Sequence, residues 1–131
     1  MKGPDAAAVA ADLVAVRAGE SREVTGFLRG KTPYMHFTQG TLIVSSGRAL
    51  WRPYFRRSRP HVEFGSDTLV TRLPLHDPQP TGSRRDRRLL KPGGLYTPLQ
   101  CERAVGVLQL CVPTPDVPLM LAAFARGSSG Q

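Results

Sequence analysis

Apolar residues fall at two different periods along this chain. Over residues 4–20, PDAAAVAADLVAVRAGE, Val9, Leu13 and Val16 recur at i, i+4 and i+7, one stripe of a helix. Pro4 and Asp5 suit its start, with Asp5 as N-cap at the positive helix end, and Gly19 supplies a left-handed stop. The stripe is narrow and the alanines are permissive, so the helix reads as one that packs onto something else. From Glu23 the spacing shortens to runs with strand character: EVTGFL (23–28), YMHFT (34–38), TLIVS (41–45), ALWRPYF (49–55), HVEF (61–64), TLVTRL (68–73) and AVGVLQLCV (104–112). Turn-forming residues divide them at Gln39-Gly40, Ser45-Ser46-Gly47, Ser58-Arg59-Pro60 and Gly65-Ser66-Asp67. LYTPLQ (95–100) adds an edge strand, since Pro98 has no N–H for a ladder. TPDVPLMLAAFAR (114–126) reads as a closing helix, with Thr114 as N-cap, Pro115 at the first helical position and Pro118 tolerated near the start. The expected fold is mainly β (α+β): an antiparallel barrel or sandwich with an N-terminal helix and a C-terminal capping helix.

Organisation follows from the same pattern. Residues 1–22 form a helical extension, 23–126 a single β-rich domain, and 127–131 a flexible tail. Between Leu75 and Gly94 the sequence HDPQPTGSRRDRRLLKPGG holds three prolines and five basic residues, and reads as a long mobile loop with at most a brief strand at RRLL. A chain of 131 residues can bury roughly two thirds of its unfolded surface, enough for a core without metal or disulfide staples. Its apolar runs fall short of the roughly 20 residues of a membrane-spanning helix, and MKGPD lacks the apolar core of a signal peptide, so a cytoplasmic location is expected. Cys101 and Cys111, on an extended chain, stand about 33 Å apart against a disulfide limit near 7 Å. The intervening ERAVGV has no strong turn pair, so two unbridged thiols are expected.

Charge changes the picture in one region only. The net charge is +8, and residues 48–91 contribute eleven basic and four acidic groups to it. Fifteen of the eighteen basic residues are arginine. GC-rich coding raises Arg along with Ala, Gly and Pro, while anion recognition favours its planar fork, and composition does not separate the two. In the strand 49–55, period two places Ala49, Trp51, Pro53 and Phe55 on an inward face, with Trp51 and Phe55 as core anchors. The other face carries Leu50, Arg52, Tyr54 and Arg56, an arginine–aromatic surface suited to phosphates and stacked rings. A solvated face whose charges discourage edge-to-edge pairing explains the same residues. RRDRRLLK (84–91) forms a second basic cluster, either swinging toward an anionic surface or keeping a loop soluble.

Motifs for catalysis are absent: there is no GxxxxGK[ST], GxGxxG, CxxC or GxSxG, and no metal ligand set or cofactor is expected. His36, His61 and His76 sit on different elements. A small enzyme using Cys101 or His76 is the remaining catalytic alternative. No helix-turn-helix and no run of stacking aromatics on adjacent strands supports sequence-specific nucleic-acid recognition, so a nucleic-acid accessory role rests on charge and on Tyr54 with its flanking arginines.

GTLIVSSGRALWRPYF (40–55) is similar to the hairpins of small bacterial pleckstrin-homology-like (PH-like) domains, and VGVLQLCVPTPDVPLMLAAF (105–124) resembles their last strand running into the closing helix. That resemblance, over about residues 24–126, implies a non-enzymatic adaptor that binds lipid head groups, peptides or protein surfaces. The N-terminal helix and the late basic loop depart from the pattern. The expected function is thus a basic binding module for an acidic protein or an anionic membrane surface, peripheral at the membrane in the second case. Its expected contacts are Arg52, Tyr54, Arg56, Arg57 and Arg59, with Arg84, Arg85, Arg87, Arg88 and Lys91 from the loop.

Overall fold

The computed structural model describes residues 6–30, 34, 36–54, 60–73, 89 and 94–124. Helix α1 spans Ala6–Arg17, followed by β1 (Arg22–Arg29), β2 (Thr38–Ser45), β3 (Arg48–Pro53), β4 (Val62–Phe64), β5 (Leu69–Arg72), β6 (Tyr96–Arg103) and β7 (Gly106–Pro113). A 3-10 turn at Thr114–Asp116 leads into α2 (Val117–Ala123). One antiparallel sheet of seven strands runs in the order β4-β3-β2-β1-β7-β6-β5. Two meanders, β1–β4 and β5–β7, are joined where β1 pairs with β7 at Phe27↔Cys111 through Arg29↔Gln109. The sheet curls into a half-barrel with β4 and β5 as its edges; the mainly antiparallel β fold with a helix before and after it is the one expected.

The concave face holds the main core, which α2 caps through Val117, Leu119 and Met120 and to which α1 adds Val16, with Leu13 packed against it. The stop after α1 is a Schellman closure: Gly19 takes φ 94°, and the Glu20 and Gly19 N–H groups donate to the carbonyls of Ala15 (2.9 Å) and Val16 (3.0 Å). Pro4, Asp5 and the side chain of Val9 lie outside the described residues.

Trp51 is the centre of this core. It is 0% exposed, its indole N–H donates to the carbonyl of Gly26 at 2.9 Å, and Tyr34 meets it edge-on at 4.8 Å. Room for the indole comes from Gly40, while Gly26, opposite it across β1 and β2, makes room for the side chains of Leu42 and Leu110. A methyl group on Gly40 would sit 2.4 Å from the indole and 2.3 Å from the Arg52 carbonyl oxygen, so the close approach of β2 to β3 requires glycine there. Phe55, expected as a second anchor, lies outside the described residues.

Several expectations are corrected. Of the strand expected at 34–38, Tyr34 makes only a single bridge, His36 and Phe37 lie outside any strand, and β2 begins at Thr38, while Met35 lies outside the described residues. LYTPLQ is no edge strand but most of β6, an internal strand between β5 and β7. Pro98 is tolerated because its carbonyl accepts the Leu73 N–H at 3.0 Å, just past the end of β5. Its missing N–H faces that same side, where the β5 ladder has ended. The strand expected at 104–112 starts two residues later, since Ala104 and Val105 form the tip of a β6–β7 hairpin closed by Arg103↔Gly106. Gly106 adopts φ 140°, and Asp67 Oδ2 accepts the Ala104 N–H at 3.1 Å, so a tight turn forms without Asn-Gly. Neither cysteine is in a disulfide, as expected, but the reason is different. The hairpin brings their strands together, yet Cys101 faces the main core while Cys111 faces the opposite side of the sheet. Thr114 does not cap α2; its hydroxyl pairs with the Thr97 hydroxyl at 2.9 Å, and the 3-10 turn precedes the helix. Of the segment 75–94, expected as a loop, only Leu89 and Gly94 are described; Leu89 is helical rather than part of a strand at RRLL, and is buried.

Candidate functional site

Along β3 the register places Ala49, Trp51 and Pro53 in the interior and turns Arg48, Leu50 and Arg52 to the convex, outer face. Tyr54 continues that face and is 59% exposed, its N–H donating to the Gln39 carbonyl at 2.9 Å. The expected pair of Arg52 and Tyr54 is therefore together and open. Arg56, Arg57, Arg59, Arg84, Arg85, Arg87, Arg88 and Lys91 lie outside the described residues.

The outer face divides into two halves. Over β1, β7 and β6 it carries a second apolar cluster of Phe27, Phe37, Cys111 and Leu89, with Leu73 and Tyr96 against it. Phe27 and Tyr96 meet edge-on at 5.3 Å. Leu89 thus fixes one point of the 84–91 segment on the same sheet face as Arg52 and Tyr54. Phe27 lies opposite Gln39 in β2, and Tyr54 follows β3 beside it, so the cluster and Tyr54 are two strand spacings apart, roughly 10 Å.

Over β2, β3 and β4 the face is open and forms a groove of about 280 Å³, lined by Ser21, Ile43, Ser45, Arg48, Leu50 and Glu63 among others. The register sets the groove's Ile43, Leu50 and Glu63 in a row that continues past its rim to Glu23, with Arg48 at the groove and Arg52 just beyond it, two residues either side of Leu50. Ile43 and Leu50 are half-buried, while Arg48, Arg52, Glu23 and Glu63 are exposed. Among the described residues the ion pairs are those of Arg22 with Asp12 (3.0 Å) and Glu20 (3.5 Å), so these four charges have no intramolecular partner there. Sequence reading found Arg52 and Tyr54 by period two within one strand. It missed Arg48, Ile43, Glu23 and Glu63, because their grouping depends on which strands are neighbours; alternation extended across β2 and β4 was the available signal.

Little in the described residues suits covalent chemistry. The Cys101 thiol is buried, and burial pushes its pKa up to about 12 despite the opposing pull of the Arg103 guanidinium. It stays protonated at neutral pH, out of reach of a substrate. His36 and His61 are exposed on separate segments, and His76 lies outside the described residues. Among the described residues no three His, Cys, Asp or Glu side chains gather as a metal ligand set, and no helix is long and apolar enough to cross a membrane. On the helical side, burial raises the Asp116 carboxyl above its ordinary value, with the neighbouring Asp12 adding to the shift.

Fold and face together define a small β-rich half-barrel with one helix before the sheet and one after it and, among the described residues, one half of its outer sheet face left uncovered. Comparison with protein-family models, with curated proteins and with solved structures returns no match.

Proposed function

We propose that this chain is a non-enzymatic binding module, related to the PH-like barrels, that contacts an acidic partner through its arginine-rich strand and loop segments. The observation that carries this reading is the open half of the outer face, where Arg48 and Arg52 flank Leu50, Tyr54 follows, and neither arginine has an internal counter-ion among the described residues. Arginine is weakly hydrated and presents a planar fork, so an exposed strip of it beside an aromatic ring is chemically suited to carboxylate or phosphate groups. The chain order supplies the rest: Arg56, Arg57 and Arg59 follow Tyr54 directly, and Leu89 sits within the 84–91 cluster while docked on the same face. The partner is an acidic protein surface or an anionic phospholipid, the latter making a cytoplasmic protein peripheral at the membrane. A nucleic acid is the alternative that the same charge permits, though among the described residues Tyr54 is the one exposed Phe, Tyr or Trp ring where stacking recognition uses several.

Binding of the intact protein to phosphatidylserine vesicles, to an acidic polypeptide and to single-stranded RNA, each across a salt series, tests the proposal. We expect binding to at least one that weakens steeply with salt and falls in Arg52→Glu. Absent binding, or binding indifferent to salt and to Arg52, would refute it.

A further inference from the structure

We infer that the groove beside Leu50 docks an extended protein segment of the pattern acidic–any–aliphatic–any–acidic, laid along β3. This rests on the proposed binding role and deepens it by choosing the partner class. Side chains two apart on one face of a strand are about 6.7 Å apart, so Arg48, Leu50 and Arg52 repeat at the spacing of any other extended chain. A partner strand therefore sets carboxylates over both arginines when an aliphatic side chain rests on Leu50 and Ile43. The groove volume of about 280 Å³ is at the lower limit for small-molecule pockets and accommodates a few side chains. A half-buried apolar floor within a charged rim is also the arrangement of protein–protein contact surfaces.

The rim charges select against a uniform polyanion. Glu23 and Glu63 close the two ends of the row that holds Ile43 and Leu50, so the two arginines and two glutamates sum to zero. These groups lie within about 8 Å of Leu50 or Ile43, no farther than the screening length at physiological salt, so each is felt individually. A membrane surface or a phosphate backbone meets the glutamates as it meets the arginines. A polypeptide places its carboxylates at alternate positions and keeps them off the glutamates.

The test is fluorescence anisotropy with two labelled peptides of equal composition, one with a Glu-Thr-Leu-Thr-Glu centre and one with Leu-Glu-Glu-Thr-Thr. We expect the first to bind about tenfold more tightly, and Arg48→Ala and Leu50→Ser each to remove most of that preference. Thermal unfolding of both variants checks that the fold persists, and Leu50→Gln stands in if Leu50→Ser does not fold. Equal binding of the two peptides overturns the inference. So does a groove occupied by a second copy, seen as self-association in sedimentation that Leu50→Ser abolishes. Salt-sensitive binding to vesicles or RNA without peptide preference also overturns it while leaving the anionic-partner role standing; no binding to any anionic probe removes both.

Discussion

The two halves of the outer sheet face are made from the outward alternate positions of neighbouring strands in one sheet, yet they end differently. Over β1, β7 and β6, Phe27, Phe37 and Cys111 are covered by Leu89 of the chain itself. The arginine there is engaged: Arg29 stacks on Phe37 at 4.3 Å and donates to Gln109 Oε1 at 2.6 Å. Over β2, β3 and β4, Ile43 and Leu50 remain half-exposed, and Arg48, Arg52 and Glu63, with Glu23 at the start of β1, have no ion-pair partner among the described residues. The covered half marks itself in the burial pattern. Gly26-Phe27-Leu28, Pro98-Leu99 and Leu110-Cys111-Val112 are buried in succession, because both faces of the sheet are packed there. The open half keeps strict alternation. Stability should therefore reside in one half and binding in the other.

Several changes separate them, taken from the largest effect down. Phe27→Ala should destabilise by about 4 kcal/mol in urea unfolding, since it empties the covered half beneath Leu89 and Tyr96. Gly40→Ala follows, at about 3 kcal/mol, because the methyl collides with β3 backbone and the indole rather than with a movable side-chain end. Leu89→Ala should cost about 2 kcal/mol and also open Cys111 to a thiol reagent, while Cys101, held within the main core, stays unreactive. If both thiols react together, the segment around Leu89 does not protect that half separately. In the open half, Arg52→Ala should move stability by no more than about 0.5 kcal/mol while weakening binding to anionic probes.

A pH series sharpens the contrast from the other side of the molecule. The folded Asp116 carboxyl binds its proton more tightly than the unfolded one, so its contribution is whole below the ordinary value of 3.8 and declines as pH rises through its folded pKa. Asp116→Asn should consequently be more stable than the parent at neutral pH, with the difference vanishing in acid. A difference that persists below that value would place the effect in packing rather than in protonation.

Much of this was legible in the sequence where period two and local turn chemistry decide the outcome. Trp51 in the core, Arg52 and Tyr54 on the open face, the hairpin at Ser46-Gly47, the Gly19 stop and the closing helix all follow from residues within a few positions of one another. What was not legible depends on distant neighbours. Pro98 reads as an edge residue until β5 is known to end beside it. Ala104-Val105 makes a poor turn until Gly106 supplies the positive φ and Asp67 pins the tip. Leu89 reads as part of a basic loop until Phe27 and Cys111 are seen to need a cover. The groove's row runs from Glu23 to Glu63 through two other strands, and no local period joins residues so far apart in the chain.

Amide chemical-shift mapping shows whether the open half of the outer face is where this protein meets its partner. The labelled protein is titrated with the acidic peptide of alternating pattern. Arg48, Leu50, Arg52, Tyr54, Ile43 and Glu63 should shift together and saturate with one affinity, while Gln109, Gln100 and Thr71 on the far strands hold still. Shifts centred on those far strands or on the helices, with β3 unmoved, would contradict it.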